Sequence, residues 1–94
     1  MSGGPDIVRR RVIAYGRVQG VFFRAALKEL AGQRGVSGWA RNRSDGSLEA
    51  AFEGPSAAVE DMAAYCAEGP DGARVSRLDV VEEEPQGIAG FTAR

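Results

Sequence analysis

The chain has 94 residues, 44% of them hydrophobic and 27% charged, a composition that fits one small globular domain and neither a disordered nor a membrane-embedded chain. Twelve basic residues against thirteen acidic ones give a formal net charge of -1, so there is no overall electrostatic footprint for nucleic acid or an anionic membrane surface. One cysteine and no histidine exclude an internal disulfide, a thiolate metal cluster, Ser-His or Cys-His nucleophilic chemistry and any histidine-ligated metal.

In chain order, "MSGGPD" (1–6) reads as a loose leader ahead of a single domain over 7–94, because Gly and Pro contribute no packed element there. "IVRRRVIAY" (7–15) is rich in β-branched residues and predicts a first strand ending at Gly16. Alternation puts Val8, Arg10, Val12 and Ala14 on one face and Arg9, Arg11, Ile13 and Tyr15 on the other. Next, Phe23, Ala26, Leu27, Leu30 and Ala31 recur at helical spacing, with Gly35 as the stop. "VSGWARN" (36–42) and "SLEAAFEG" (47–54) read as a hairpin turning at Asp45-Gly46. In its second strand Leu48, Ala50 and Phe52 alternate with Glu49 and Glu53, as expected of a half-buried strand. A second helix over 55–69 opens with Pro55 at its first position, carries Val59, Met62, Ala63 and Cys66 as its apolar stripe, and stops at Gly69-Pro70. "ARVSRLDVVEEE" (73–84) predicts a fourth strand in which Val75, out of phase, marks a bulge. "AGFTAR" (89–94) predicts a short closing strand. The order β-α-β-β-α-β predicts an α+β, ferredoxin-like split βαβ sandwich, an antiparallel sheet with two helices on one face. That fold hosts many functions and names none.

The chemistry gathers at "GRVQGVFFR" (16–24). The segment Gly16, Arg17, Val18, Gln19, Gly20, Val21 and Phe22 is expected to be a loop that enters the first helix, where unpaired N–H groups and the helix dipole favour an anion. Glycines let successive amides converge, and Arg24 in the first turn adds a planar fork of donors suited to phosphate or carboxylate. The segment lacks Gly-Lys-Ser/Thr and G-x-G-x-x-G, so it is no nucleotide-binding fingerprint, and a plain Gly-punctuated turn with a surface arginine remains an equal reading. Asn42 ends its strand on the helix-facing side, where its carboxamide either meets that loop or satisfies its own turn.

These two stretches carry a resemblance. "GRVQGVFFR" together with "GWARNRSDGSLEAAFEG" resembles the acylphosphatase family, which carries G-x-V-Q-G-V-x-F-R and a G-[aromatic]-x-[basic]-N-x-x-x-G segment, the latter matched here by Gly38, Trp39, Arg41, Asn42 and Gly46. The resemblance covers nearly the whole chain after residue 7, with small departures at Ala14, Ala40 and Leu48 that touch packing only. It implies hydrolysis of acyl phosphates, with Arg24 binding the phosphate, the amides of 16–22 completing the cradle and Asn42 orienting the attacking water. It also implies no cofactor and no metal. The partners expected are a small acyl phosphate and inorganic phosphate or a similar anion, with no nucleic acid and no membrane. With no recognisable signal peptide and no bilayer-length apolar run, a cytoplasmic monomer is expected.

Other features have plainer readings. Arg9-Arg10-Arg11 is expected to be a partly solvated strand with local ion pairs rather than a nucleic-acid patch, and Glu82-Glu83-Glu84 a solvated strand end. Cys66 reads as a small core hydrophobe, Asp45 as a turn former, and Trp39 as a cover over the open side of the sheet. Ferredoxin-like sheets also bind RNA on exposed aromatics, but the chain lacks the corresponding aromatic motif.

Overall fold

The computed structural model of the protein describes residues 6–94. The leader expected over 1–6 lies outside these residues except for Asp6, whose carbonyl accepts a hydrogen bond from the Ser56 amide at 3.1 Å.

The elements are β1 (Ile7–Arg17), α1 (Phe23–Arg34), β2 (Ser37–Asn42), β3 (Leu48–Pro55), α2 (Ser56–Glu68), β4 (Arg74–Glu83) and β5 (Phe91–Ala93), and the strand order is β4-β1-β3-β2-β5. β1 lies antiparallel between β3 and β4, and β2 is antiparallel to β3. This is the split βαβ arrangement with both helices on one face. The all-antiparallel sheet needs one correction, because β5 pairs parallel with β2. A chain that leaves β4 and doubles back once must run opposite to β4, and that is the direction of β2.

Apolar periodicity places the core where the spacing predicts. Phe23, Leu27 and Ala31 of α1 and Val59, Met62 and Cys66 of α2 are buried over Val12, Ala14, Ala40, Leu48, Ala50 and Phe52 of the sheet. Each large side chain so covered contributes roughly 1.5–3 kcal/mol. Gly35 ends α1 in a left-handed turn, its amide bonded to the Ala31 carbonyl. Pro55 sits one residue before α2, as its cap rather than its first helical residue. The bulge expected at Val75 is present: Tyr15 faces Arg77 while Gly16 faces Val75, so Ser76 is the extra residue.

The face away from the helices departs from the half-buried expectation for β3, because Glu49 and Glu53 are only 7% and 5% exposed. Strand alternation brings them beside arginines of the neighbouring strands. Glu53 meets Arg9, Arg9 and Arg11 share Glu83, and Arg11 and Arg41 share Glu49. The result is a ladder of alternating charge across four strands, which covers β3 from below. Glu83 is therefore a bridging group rather than a solvated end, whereas Glu82 stays exposed beside Arg10. Glu53 also accepts the amides of Gln86 and Gly87 at 2.8 and 2.7 Å, which fastens the segment that leads from β4 to β5. Trp39, on this same face, has the Arg94 guanidinium 4.7 Å above its ring.

Burial pushes the Glu49 and Glu53 carboxyls up, but their hydrogen bonds outweigh it and both lie below the ordinary value, from Arg41 and Arg11 in one case and from two amides and Arg9 in the other. Bonds from Arg11 and Arg9 lower Glu83 in the same way. A carboxyl lowered in the folded state stabilises above its unfolded pKa of about 4.3 and loses that contribution as pH falls through the folded value. Urea midpoints should accordingly stay flat from pH 7 to about 5 and drop below about 4.3. Glu53→Gln should cost roughly 3 kcal/mol at pH 7 and flatten the acid slope, as read by urea unfolding of both proteins across that range.

Candidate active site

β1 runs on through Gly16 and Arg17, so the loop between β1 and α1 comprises only Val18 to Phe22. This corrects the placement of Gly16 and Arg17 in that loop. Gly16 stands at the bulge with φ 118°, and a Cβ there would lie 2.2 Å from the Arg74 carbonyl oxygen. Its bare backbone serves close strand contact rather than the turning of amides. Within the loop, Val18 is 1% exposed and anchors it in the core, and Val21 is also buried. Gly20 turns the chain at φ 74°.

Gln19 fastens the loop from the other side. Its Nε2 donates to the Arg43 carbonyl at 2.8 Å and to the Ser47 carbonyl at 3.0 Å, which joins the β1–α1 loop to the β2–β3 hairpin. That hairpin is itself locked, with the Arg43 amide donating to Ser47, the Gly46 amide to Arg43, and the Ser47 amide to the Asp45 carboxylate. Asp45 is thus a turn former, and the Ser47 hydroxyl and amide hold its carboxyl below the usual carboxylate range. Gln19 was expected to lend a backbone amide. Its side chain instead sets the distance between the two motifs.

The two motifs meet in a cleft of about 270 Å³ lined by Val18, Gly20, Phe22, Phe23, Arg24, Ala25 and Asn42. Arg24 belongs to the first turn of α1 and Asn42 to the last position of β2. Phe23, 2% exposed and edge-on to Tyr65, pins that first turn to the core. No side chain caps α1 and its first turn holds no acidic residue, so its leading N–H groups and the positive end of its dipole open on the cleft. Among the described residues six arginines pair with carboxylates, namely Arg9, Arg10, Arg11, Arg34, Arg41 and Arg77. Arg24 is not among them. Its Nη1 donates instead to the main-chain oxygen of Arg94, just beyond β5, which orients the guanidinium. Cys66 has no part here. Burial pushes its thiol up to about 12, and it lies in the core.

Residues 10–93 match the family model described as Acylphosphatase. The chain belongs to the acylphosphatase family. An acylphosphatase of Rubrobacter xylanophilus is 52% identical over 95 residues, spanning 100% of this chain and 86% of its own length. One from Haloarcula marismortui is 49% identical over 86 residues, 92% of this chain and 94% of its own. Among solved structures, an acylphosphatase from Coxiella burnetii superposes with a TM-score of 0.89 at 30% identity, covering 94% of this chain and 93% of that one. The chain is therefore an enzyme of the hydrolase class, an acylphosphatase by family and by fold.

The contacts that position two side chains at this acylphosphatase cleft were not legible in advance. Gln19 reaches partners 24 and 28 residues away, and Arg24 reaches one 70 residues away. No local spacing encodes either contact. Gln19→Ala should leave each of two part-buried carbonyls with one donor instead of two and cost about 0.5–1.5 kcal/mol. Chemical denaturation reads that loss. Inhibition by inorganic phosphate should weaken in parallel, because the loop is no longer held against the hairpin.

Proposed function

We propose that the protein hydrolyses the carboxyl-phosphate bond of acyl phosphates to a carboxylate and inorganic phosphate, with no metal or cofactor. The observation that carries this reading is the meeting of Arg24 and Asn42 in one cleft at the open N-terminus of α1. The donors of Arg24 and the amides of the loop residues that line the cleft, Val18, Gly20 and Phe22, hold the phosphoryl oxygens, as a planar fork and converging N–H groups do for tetrahedral anions. Asn42 aims a water molecule in line with the bond that breaks. The water oxygen bonds to phosphorus, the phosphorus–oxygen bond to the acyl group breaks, and the electron pair leaves on the carboxylate. The proton lost by the water goes to an oxygen of the phosphate itself.

The substrate class explains why few groups suffice. The leaving carboxylate has a conjugate acid of pKa about 4, so it departs without a general acid. Phosphoryl transfer then needs positioning and charge stabilisation, which a guanidinium, a helix N-terminus and oriented amides supply. The chain has no histidine, and the described residues hold no group of three or more carboxylate or thiol side chains arranged for a metal ion. Every group in this scheme comes from one chain, which fits action as a monomer.

Benzoyl phosphate hydrolysis tests the reading. Arg24→Ala should lower kcat/KM by about 10³-fold or more, and Arg24→Lys should fail nearly as badly because a point charge replaces a fork. Asn42→Ala should lower kcat by about 10²-fold or more, while inhibition by inorganic phosphate is less affected. Wild-type turnover of benzoyl phosphate by the Asn42→Ala protein would remove the water-positioning role. Activity should persist in excess chelator, and its disappearance there would overturn the metal-free scheme.

A further inference from the structure

The chain places glycine at nine positions of positive φ, and among the described residues the one exception is Phe22, at φ 60°. A bulky side chain in the left-handed region is strained, and such residues concentrate where function requires them. Phe22 also gains nothing from burial. It is 84% exposed, against 51% or less for the other exposed large hydrophobic residues, Ile7, Val80 and Val81. Its neighbour Phe23 is 2% exposed, so one ring of the pair anchors α1 and the other stands in solvent. A glycine at position 22 would relieve the backbone, and a polar residue would suit the solvent. The sequence uses neither, and the exposed ring forms a wall of the cleft that holds Arg24 and Asn42.

The cleft is thus two-sided. Arg24, Asn42 and the α1 N-terminus are its polar side, while Phe22 and Ala25 contribute apolar surface. We propose that Phe22 is the platform for the acyl group, and that it makes the enzyme select aromatic and extended apolar acyl phosphates over small ones such as acetyl phosphate. The inference rests on the hydrolytic reading above. With the phosphate on the polar side, the rest of the substrate leaves the cleft past the exposed ring of the two at its wall. An aryl group stacks on that ring and removes both surfaces from water, whereas an acetyl group is too small to cover it. Because this contact is made equally before and during reaction, it acts through KM more than through kcat.

The test is the ratio of kcat/KM for benzoyl phosphate to that for acetyl phosphate, measured for the wild type, Phe22→Gly and Phe22→Tyr. The ratio is informative even where both rates shift, because the amide of residue 22 belongs to the loop. Phe22→Gly adopts the left-handed conformation without strain, so folding is not at risk. In Phe22→Gly the ratio should fall about tenfold, mainly through a higher KM for benzoyl phosphate, while Phe22→Tyr should keep it within about twofold. An unchanged ratio in Phe22→Gly, with or without equal losses on the two substrates, would overturn the platform while leaving the hydrolytic reading standing. A wild type that hydrolyses neither compound would overturn both.

Discussion

A carboxylate at the end of the central strand β3 ties the two edges of the sheet together. Glu53 faces Arg9 across the β1–β3 pairing, and it accepts the amides of Gln86 and Gly87 from the segment that joins β4 to β5. β4 and β5 lie at opposite edges of the five-stranded sheet, so this segment must traverse the full width of the fold. A buried charge is unfavourable unless its lone pairs are all met, and Glu53 meets that condition only when the crossing segment lies against it. The same condition delivers β5 to β2 and Arg94 to Arg24. A group far from the cleft therefore helps decide where the guanidinium in the cleft stands.

Arginines divide into two populations by the same logic. Those on the open face of the sheet sit in a ladder of alternating charge, where each partner lowers the cost of burying the next. Arg24 lies instead in the cleft, beside an uncapped helix N-terminus that adds positive potential rather than relieving it. Such a place is unfavourable for a cation alone and favourable once an anion arrives.

What the sequence made legible is the local part of this arrangement. Spacing places Phe23, Leu27 and Ala31 on one side of a helix, Gly35 stops it, and Asp45-Gly46 turns the hairpin, because each of these signals acts within a few residues. Strand alternation alone leaves Asn42 either meeting the loop before α1 or satisfying its own turn, and it is the family resemblance that pairs it with Arg24. Apart from Pro55, which misses its helix by one residue, the misreadings are long-range. Gly16 looks like a strand end, but its close approach to Arg74 is visible only once β4 is in place. Glu49 and Glu53 look solvent-facing because their arginine partners come from other strands, and the direction of β5 depends on where its crossing segment is held. Gln19 reads as one more loop residue until its two carbonyl partners are known.

The position of β5 carries a consequence for the order of assembly. The β2–β3 hairpin closes locally, but the β1–β4 pairing and the arrival of β5 beside β2 join segments distant along the chain, and such closures are slow and entropically costly. The last three-residue strand is the piece that brings Arg94 to Arg24, so the cleft acquires its final electrostatic shape only in chains that have completed the sheet. An anion held there binds those chains and not their partly folded forms, and its binding free energy is added to the stability of the finished fold. In so small a domain, ligand occupancy and completion of the sheet become two readings of one equilibrium.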